Sequence, residues 1–385
     1  MMTKADRVLA LFEKRNIDYL PSQISFSDRT RDKAISEALG LDSPDQLDDY
    51  LENHIAFTYA TDDIPLFWRN DPEMMTELAK KGYVYTDFEN NHVYDRWGLG
   101  IVIGEDGFFT DYGVLMGDKE KDKAARKVLP ERLTKYMDMS FEDAIMNYEI
   151  PDPLDPQNLT WYERDKDGVA GDMCIIPSGY FATYERSYAL MGWERFMTEM
   201  AGNPMLCSCL MEKVTDYRMK LAQVKSDMGF KFAHHGDDLG MQISGFFSPK
   251  MFTEQILPHY KRLFSEYKKN GQYIIMHSCG AMIDYLPQLI DIGLDGWEPV
   301  QPCNDLKYLK REYGKDLVFW GGIDTQTLPT KTPEEVKTMA REAITILGKG
   351  GGHIIAPAQE IMNDVPLENV VALLETIVEM REKAI

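Results

Sequence analysis

The chain has 385 residues, a formal net charge of -21, and a composition that is 44% hydrophobic and 27% charged. That acidic balance excludes a phosphate-backbone partner, because nucleic-acid binding needs a basic face. No apolar run approaches the ~20 residues of a membrane span, no basic segment followed by an apolar core opens the chain, and the five cysteines are too irregularly spaced for a disulfide framework. The expectation is a cytoplasmic globular protein with reduced thiols and with neither nucleic acid nor membrane as partner.

Apolar spacing predicts a first helix over Met1–Asn16, with Val8, Leu9, Leu11 and Phe12 on one side. Pro21–Arg29 does not continue that period. Short helices are expected at Leu47–His54 and Pro72–Lys81, the second started by the cap residue Asp71 and a first-turn proline. From Tyr83 to about Pro156 the pattern turns irregular and aromatic, as in Tyr94–Gly100 and Gly107–Gly113, and reads as hairpins and loops. After Pro156, strands alternate with helices. Strands are expected at Gly171–Ile176, Phe230–His234, residues 273–277, Gly296–Val300, Leu317–Trp320 and His353–Ala356. Helices are expected at Tyr184–Ala201, Asn203–Met228, from Ser248-Pro249 to Lys269, near 281–291, at Asp305–Tyr313, from Thr332 to Leu347, and at Pro366–Lys383. Thr332 with Glu335 makes a capping box. Strand-then-helix units in series imply a parallel sheet. Their number suits an α/β fold of the (β/α)8 TIM-barrel kind, one domain over 1–385 with an N-terminal helical and loop extension (about 1–156) before the main run of βα units (about 157–385).

In such a barrel, reactive groups gather where strands end. His277 and Cys279 follow the apolar run Ile274–Met276. Residues two apart on a strand point the same way, so an imidazole and a thiol can face one point, half of a tetrahedral zinc shell. A buried thiol beside a hydrogen-bonded histidine is the plainer alternative. Cys207 and Cys209 look similar but fall in a helix, where residues two apart diverge by about 200°. Cys174 and Cys303 read as packing residues. His235, Asp237 and Asp238 form a second strand-end group. Adjacent aspartates are often turn chemistry, but at a barrel mouth one can act as an acid or base. Gln301, Asp324, Gln359 and Glu360 stand at later strand ends. Gly321-Gly-Ile-Asp324 lacks the spacing of a phosphate loop. Glu185 and Arg186 open a helix, either as a helix-end charge pair or as groups that reach the mouth.

Taken together, Tyr94-Asp-Arg-Trp-Gly, Asp237-Asp-Leu-Gly-Met-Gln with Ser248-Pro249, His277-Ser-Cys-Gly, Gly296-Trp-Glu-Pro-Val-Gln-Pro, Gly321-Gly-Ile-Asp-Thr-Gln and Pro366-Leu-Glu-Asn resemble the uroporphyrinogen decarboxylase superfamily, in particular its branch of corrinoid-dependent methyltransferases and O-demethylase components. The resemblance implies a (β/α)8 barrel and a zinc ion held by His-x-Cys, here His277 and Cys279, plus a cysteine on the last strand. That third position holds Gln359, with Glu360 beside it. Either Glu360 replaces the thiolate, or the metal is held differently, or it is absent. A shell with fewer thiolates makes zinc a stronger Lewis acid, suited to an ether or other methyl donor. The resemblance further implies transfer of a methyl group between a small methylated substrate (a methoxylated aromatic or methylated amine) and a corrinoid carried by a partner protein. Asp238 and Glu185 would be catalytic, Asp237, His235, Gln301, Asp324 and Gln359 substrate-binding, and His277, Cys279 and Glu360 metal ligands; a homodimer is compatible with it. Alternatives are a methylcorrinoid-to-thiol transferase, against which the missing third cysteine counts, a metal-free decarboxylase of the parent type, against which the shortage of early arginines counts, and a binding barrel without catalysis.

Overall fold

The computed structural model describes residues 2–104, 110–167 and 171–383; of the expected Gly107–Gly113 turn, Gly107, Phe108 and Phe109 lie outside these. The fold is α/β. Its strands, in chain order, are β1 (Ile55–Thr58), β2 (Val84–Asp87), β3 (His92–Asp95), β4 (Leu99–Val102), β5 (Thr110–Gly113), β6 (Cys174–Pro177), β7 (Phe232–Gly236), β8 (Tyr273–His277), β9 (Gly296–Val300), β10 (Val318–Ile323) and β11 (His353–Pro357). β7 to β11 form one parallel sheet in sequence order, and β1 pairs with β6, also in parallel. β7, β9, β10 and β11 are buried at every position, as expected of parallel strands covered on both faces.

Main-chain hydrogen bonds join the two parallel sheets at both edges. Ile355 donates to the Pro21 carbonyl, Gln23 donates to Ile355, and His54, just before β1, donates to Ser22. On the other side Gly236, at the end of β7, donates to Gly179, just past β6. Pro21–Gln23 therefore acts as an extended segment between β11 and β1. A proline-led segment with a single cross-bridge carries no strand period, which is why its pattern reads as a loop.

An apolar plug fills the space among these strands: Ile55, Ile176, Phe232, Ile275, Val318 and Ile354 pack with Phe12. Phe12 lies on the helix Lys4–Phe12, and its ring stands 5.0 Å from that of Phe232. The helix seals one end, leaving the opposite, C-terminal end for polar groups.

The stretch after Tyr83 is a four-stranded antiparallel sheet, β2-β3-β4-β5, followed by short helices such as Lys119–Ala125 and Phe141–Asn147 that the irregular pattern did not reveal. Buried ion pairs tie it to the parallel strands. Arg186 reaches both Asp63 (2.8 Å) and Asp95 (3.1 Å), and Arg218 also pairs with Asp63 (2.9 Å). Three expected elements change. Leu47–His54 is a helix only to Leu51, because Glu52 turns left-handed (φ 49°) and the chain enters β1. Tyr184–Ala201 is two helices, Tyr184–Met191 and Trp193–Gly202, broken at Gly192 with φ 81°, a value no right-handed helix accepts. The helix near 281–291 shortens to Leu286–Asp291. The capping box at Thr332 and Glu335 is present.

Candidate active site

Register decides which side chains meet at the strand ends. Gly236 of β7 pairs with His277 of β8, and His277 pairs with Glu298 of β9. Because side chains alternate along a strand, His234, His277 and Glu298 share one side, while His235, Met276 and Trp297 share the other. Gly236 leaves room opposite His277: a Cβ there would lie 2.9 Å from Tyr180 Cδ1. The Tyr180 ring uses this space and stands 4.7 Å from that of His277.

The tautomers of both histidines follow from their partners. The Gly179 backbone N–H donates to His234 Nδ1 (3.2 Å), so His234 carries its proton on Nε2 and gives it to Glu298 Oε1 (3.0 Å). His277 Nδ1 faces the same carboxylate oxygen at 2.8 Å. A carboxylate only accepts, so this nitrogen is also protonated. His277 Nε2 is left to face Cys279 Sγ at 3.9 Å and Asp238 Oδ1 at 3.5 Å. The ligand atoms of Asp238, His277 and Cys279 all lie within 4.8 Å of one another; His234, His277 and Glu298 form a second such group. Cys279 also donates its N–H to Asp238 Oδ1 (2.7 Å), locking the two loops together. Ser278, between the two ligand-type residues, points to the other side, where its hydroxyl accepts the Leu239 N–H. Gly280 follows with φ 83°, and a Cβ on it would lie 2.2 Å from the Gly240 carbonyl carbon.

Electrostatics follow from these contacts. Burial alone would raise the Glu298 carboxyl, but His277 and the hydrogen bond from His234 outweigh it and hold it at about 2. Burial alone would lower His277, but Glu298 and Cys279 overcome it and raise the imidazole well above its ordinary range. Burial pushes the Cys279 thiol up, with His277 working against it. Glu185 is buried beside Asp238 and Asp237; burial first, then their two charges, raise its carboxyl well above the ordinary range.

The predicted site residues separate into three sets. His277, Cys279 and Asp238 come together. Glu360 belongs to neither ligand group among the described residues. It is exposed, whereas Asp238, which follows β7 directly beside β8, lies with His277 and Cys279. Gln301, Asp324 and Gln359 line a cavity of about 210 Å³ with Gln242, Cys303 and Gln326. Gln359 Nε2 donates to Cys279 Sγ (3.0 Å), and Gln301 accepts the Gly280 N–H (2.7 Å). Cys303 is thus exposed in a cavity wall and not a core packing residue.

His235 and Asp237 do not reach this cavity. The His235 ring is fully buried on the helix-facing side, 4.5 Å from Tyr260 and 5.2 Å from Phe264. Asp237 accepts the N–H groups of Thr183, Tyr184 and Glu185 and the Tyr260 hydroxyl. It caps the helix Tyr184–Met191 and positions Glu185, a first-turn carboxylate role. Arg186 turns away into the ion pairs with Asp63 and Asp95. Cys207 is buried against the Phe196 carbonyl and Cys209 sits against Met146, so the two face different surroundings.

Glu298 and His234 are the residues the sequence reading did not single out. A carboxylate inside Gly296–Val300 and a histidine inside Phe232–Gly236 were visible as polar intrusions in apolar strands, and a buried charge needs a partner.

A histidine held by a carboxylate on one nitrogen and facing a thiol and a second carboxylate with the other, at the C-terminal ends of parallel strands, gathers donor types that could hold a metal ion. A model of the uroporphyrinogen decarboxylase (URO-D) family matches residues 182–380, just over half of the chain and all of its site-bearing strands from β7 onward. The chain belongs to this family. It is 24% identical over 136 residues to the uroporphyrinogen decarboxylase of Coxiella burnetii, a match that spans 34% of this chain and 37% of that relative. It also shares its fold with a methyltransferase from Methanosarcina mazei, at 16% identity and a TM-score of 0.57, with 99% of both chains covered.

Proposed function

We propose that this protein is a zinc-assisted methyltransferase. It moves a methyl group from a small methylated donor, a methoxylated aromatic or a methylated amine, to the cobalt of a corrinoid carried by a separate protein in the cytoplasm. The reading takes the parallel strands and Pro21–Gln23 as the staves of one (β/α)8 barrel whose C-terminal mouth receives the partner. The observation that carries it is the grouping of Asp238, His277 and Cys279, with the second nitrogen of His277 fixed on Glu298. Nitrogen, sulfur and oxygen donors at this spacing fit zinc. A zinc ion held by His277 Nε2, Cys279 Sγ and Asp238 would supply Lewis acidity toward the donor's heteroatom.

The chain's own residues do the rest. His234 and Glu298 fix the His277 ring and its tautomer. Glu185, kept neutral by burial and by its acidic neighbours, holds a proton beside the centre. When the methyl leaves, the heteroatom keeps the bonding pair and takes this proton. Asp237 sets the position of Glu185 through the helix it caps. Gln359 donates a hydrogen bond to Cys279 and bounds the mouth.

Two measurements test the reading. Metal analysis of the purified protein should give one zinc per chain, lost in His277→Ala; no stoichiometric zinc, or zinc unchanged in that variant, would sink it. Cobalt absorbance of a reduced corrinoid protein should change only when protein and donor are both present. Failure with every ether and amine donor removes the methyl-transfer assignment.

A further inference from the structure

The proposed reaction makes little use of the cavity beside Cys279. Four of its lining side chains are carboxamides, those of Gln242, Gln301, Gln326 and Gln359. They come from four separate loops, after β7, β9, β10 and β11, so no single turn motif accounts for their meeting. Gln301 is only 6% exposed, and its oxygen accepts the Gly280 N–H at 2.7 Å. Its amide nitrogen is therefore the end left for the cavity, and among the described residues no hydrogen bond engages it. Two N–H donors on a nearly buried side chain call for an acceptor. Gln359 is turned the other way: its nitrogen is engaged on Cys279 Sγ at 3.0 Å, which leaves its oxygen as an acceptor. Asn304 holds this wall from behind, donating to the carbonyls of Gly280 (2.9 Å) and Gln301 (3.0 Å).

The wall thus offers N–H donors from one residue and an acceptor oxygen from another, and this pairing selects among ligand groups. A carboxylate only accepts hydrogen bonds. It would satisfy Gln301 but leave the Gln359 oxygen unmatched. It would also bring a second negative charge beside Asp324, whose oxygens already accept the Gln326 N–H and the Thr327 hydroxyl. An ammonium only donates and would oppose the Gln301 N–H groups. A hydroxyl has a single proton to give. A primary carboxamide carries an acceptor oxygen and two N–H donors on one planar group, the complement of Gln301 and Gln359. At about 210 Å³ the cavity is smaller than the roughly 300–1,000 Å³ of sites that enclose a whole drug-sized ligand. It fits a small amide or one arm of a larger molecule.

We propose that this cavity binds a primary carboxamide group, whose oxygen accepts from Gln301 and whose N–H donates to Gln359. This binding does not depend on methyl transfer. Two sources share the chemistry. One is a small free amide. The other, which rests on the methyl-transfer reading, is a carboxamide arm on the rim of the corrinoid, which the cavity would grip to set the macrocycle over the centre.

The test uses the purified full chain without corrinoid protein. Benzamide should bind saturably in ligand-observed NMR and should protect Cys303, exposed in the cavity wall, from N-ethylmaleimide. Benzoate and benzyl alcohol should bind about tenfold more weakly or worse. Gln301→Glu still accepts the Gly280 N–H but cannot donate, and Gln301→Met removes the amide without adding charge. Each should weaken benzamide by about tenfold in a protein that circular dichroism shows to be folded. Equal or tighter binding of benzoate or benzyl alcohol, no saturable binding of benzamide, binding that leaves Cys303 reactive, or wild-type affinity in the folded variants would overturn the proposal. Displacement of benzamide by cyanocobalamin, whose rim carries carboxamide arms, assigns the group to the corrinoid; benzamide binding that cyanocobalamin cannot displace assigns it to a small amide and removes the corrinoid from this cavity. Benzamide binding without methyl transfer refutes only the reaction; methyl transfer without benzamide binding refutes only this site.

Discussion

Glu298→Gln tests whether His277 is held ready as a metal ligand. In the wild type one buried carboxylate oxygen takes hydrogen bonds from His234 Nε2 at 3.0 Å and His277 Nδ1 at 2.8 Å. Glutamine has the same shape but no charge, and its amide N–H cannot accept either proton. Charge-assisted bonds are about twice as strong as neutral ones, and weakening two of them sets a scale of about 1.5–3 kcal/mol. Losing the carboxylate behind a ligating histidine typically costs about 10–100-fold in metal affinity, or about 1.4–2.7 kcal/mol. The two estimates agree.

The pH dependence sharpens the test. Glu298 is the main group that raises His277 against burial. In the wild type, zinc must displace the His277 proton from below pH 6.5 up to its raised folded value, and affinity should climb about tenfold per pH unit across that window. In Glu298→Gln the raising charge is gone, so the climb should level off at lower pH. Chelator competition from pH 6 to 9 measures both quantities. Affinity within about twofold of wild type at every pH, with an unchanged slope, would refute the coupling between Glu298 and the metal site.

Three further outcomes are expected. Asp238→Ala should strip zinc from the protein and Glu360→Ala should retain it, read by metal content after dialysis; the reverse result restores Glu360 as the third ligand. Asp63→Ala leaves Arg186 and Arg218 buried without their shared carboxylate, which should cost about 3–5 kcal/mol in urea unfolding; a loss below about 1 kcal/mol would contradict the assigned role of this network. His54 and His353 are buried and held neutral, each lowered by burial to about 4. The unfolded chain protonates near 6.5, so the stability these two contribute is present above pH 6.5 and is lost as pH falls toward 4, by up to about 3 kcal/mol each. His277 acts in a different window: its raised value stabilises the metal-free fold fully below pH 6.5, and that stability is lost as pH rises through the raised value. Metal-free His277→Ala should therefore be less stable than the metal-free parent at pH 6.5 and below but show the same further loss from pH 6.5 to 4; a flat profile in both over that range would contradict the buried-neutral assignment of His54 and His353.

What the sequence made legible was residue type, spacing and strand order, and what it hid was register. His277 and Cys279 stood out because two ligand-type residues follow an apolar run at the period of a strand. The same period applied to Phe232–Gly236 cannot choose between His234 and His235. The choice depends on Gly236 aligning with His277, a pairing between segments forty residues apart. Glu298 was visible as a charge in an apolar strand, yet its value as a partner depends on sitting across from His277 in the next strand. Pro21–Gln23 and β1 were missed for another reason. They are too short to show a period and are held in place by strands on either side. The metal set was the hardest part because it depends on loops. At the position where the resemblance implies a thiolate stands Gln359, and the residue nearest to it in chemistry, Glu360, lies one step along the chain. In space, however, the carboxylate beside His277 and Cys279 belongs to Asp238, which comes from the neighbouring strand. Gln359 has its own part: its amide donates to Cys279 Sγ. A ligand set with one thiolate exchanged for a carboxylate, and with the remaining sulfur sharing charge with an N–H donor, gives less electron density to a bound cation. Both departures act in the same direction. Under the proposed zinc-assisted reading, they would move the centre away from activating a thiol and toward polarising the heteroatom of a methyl donor.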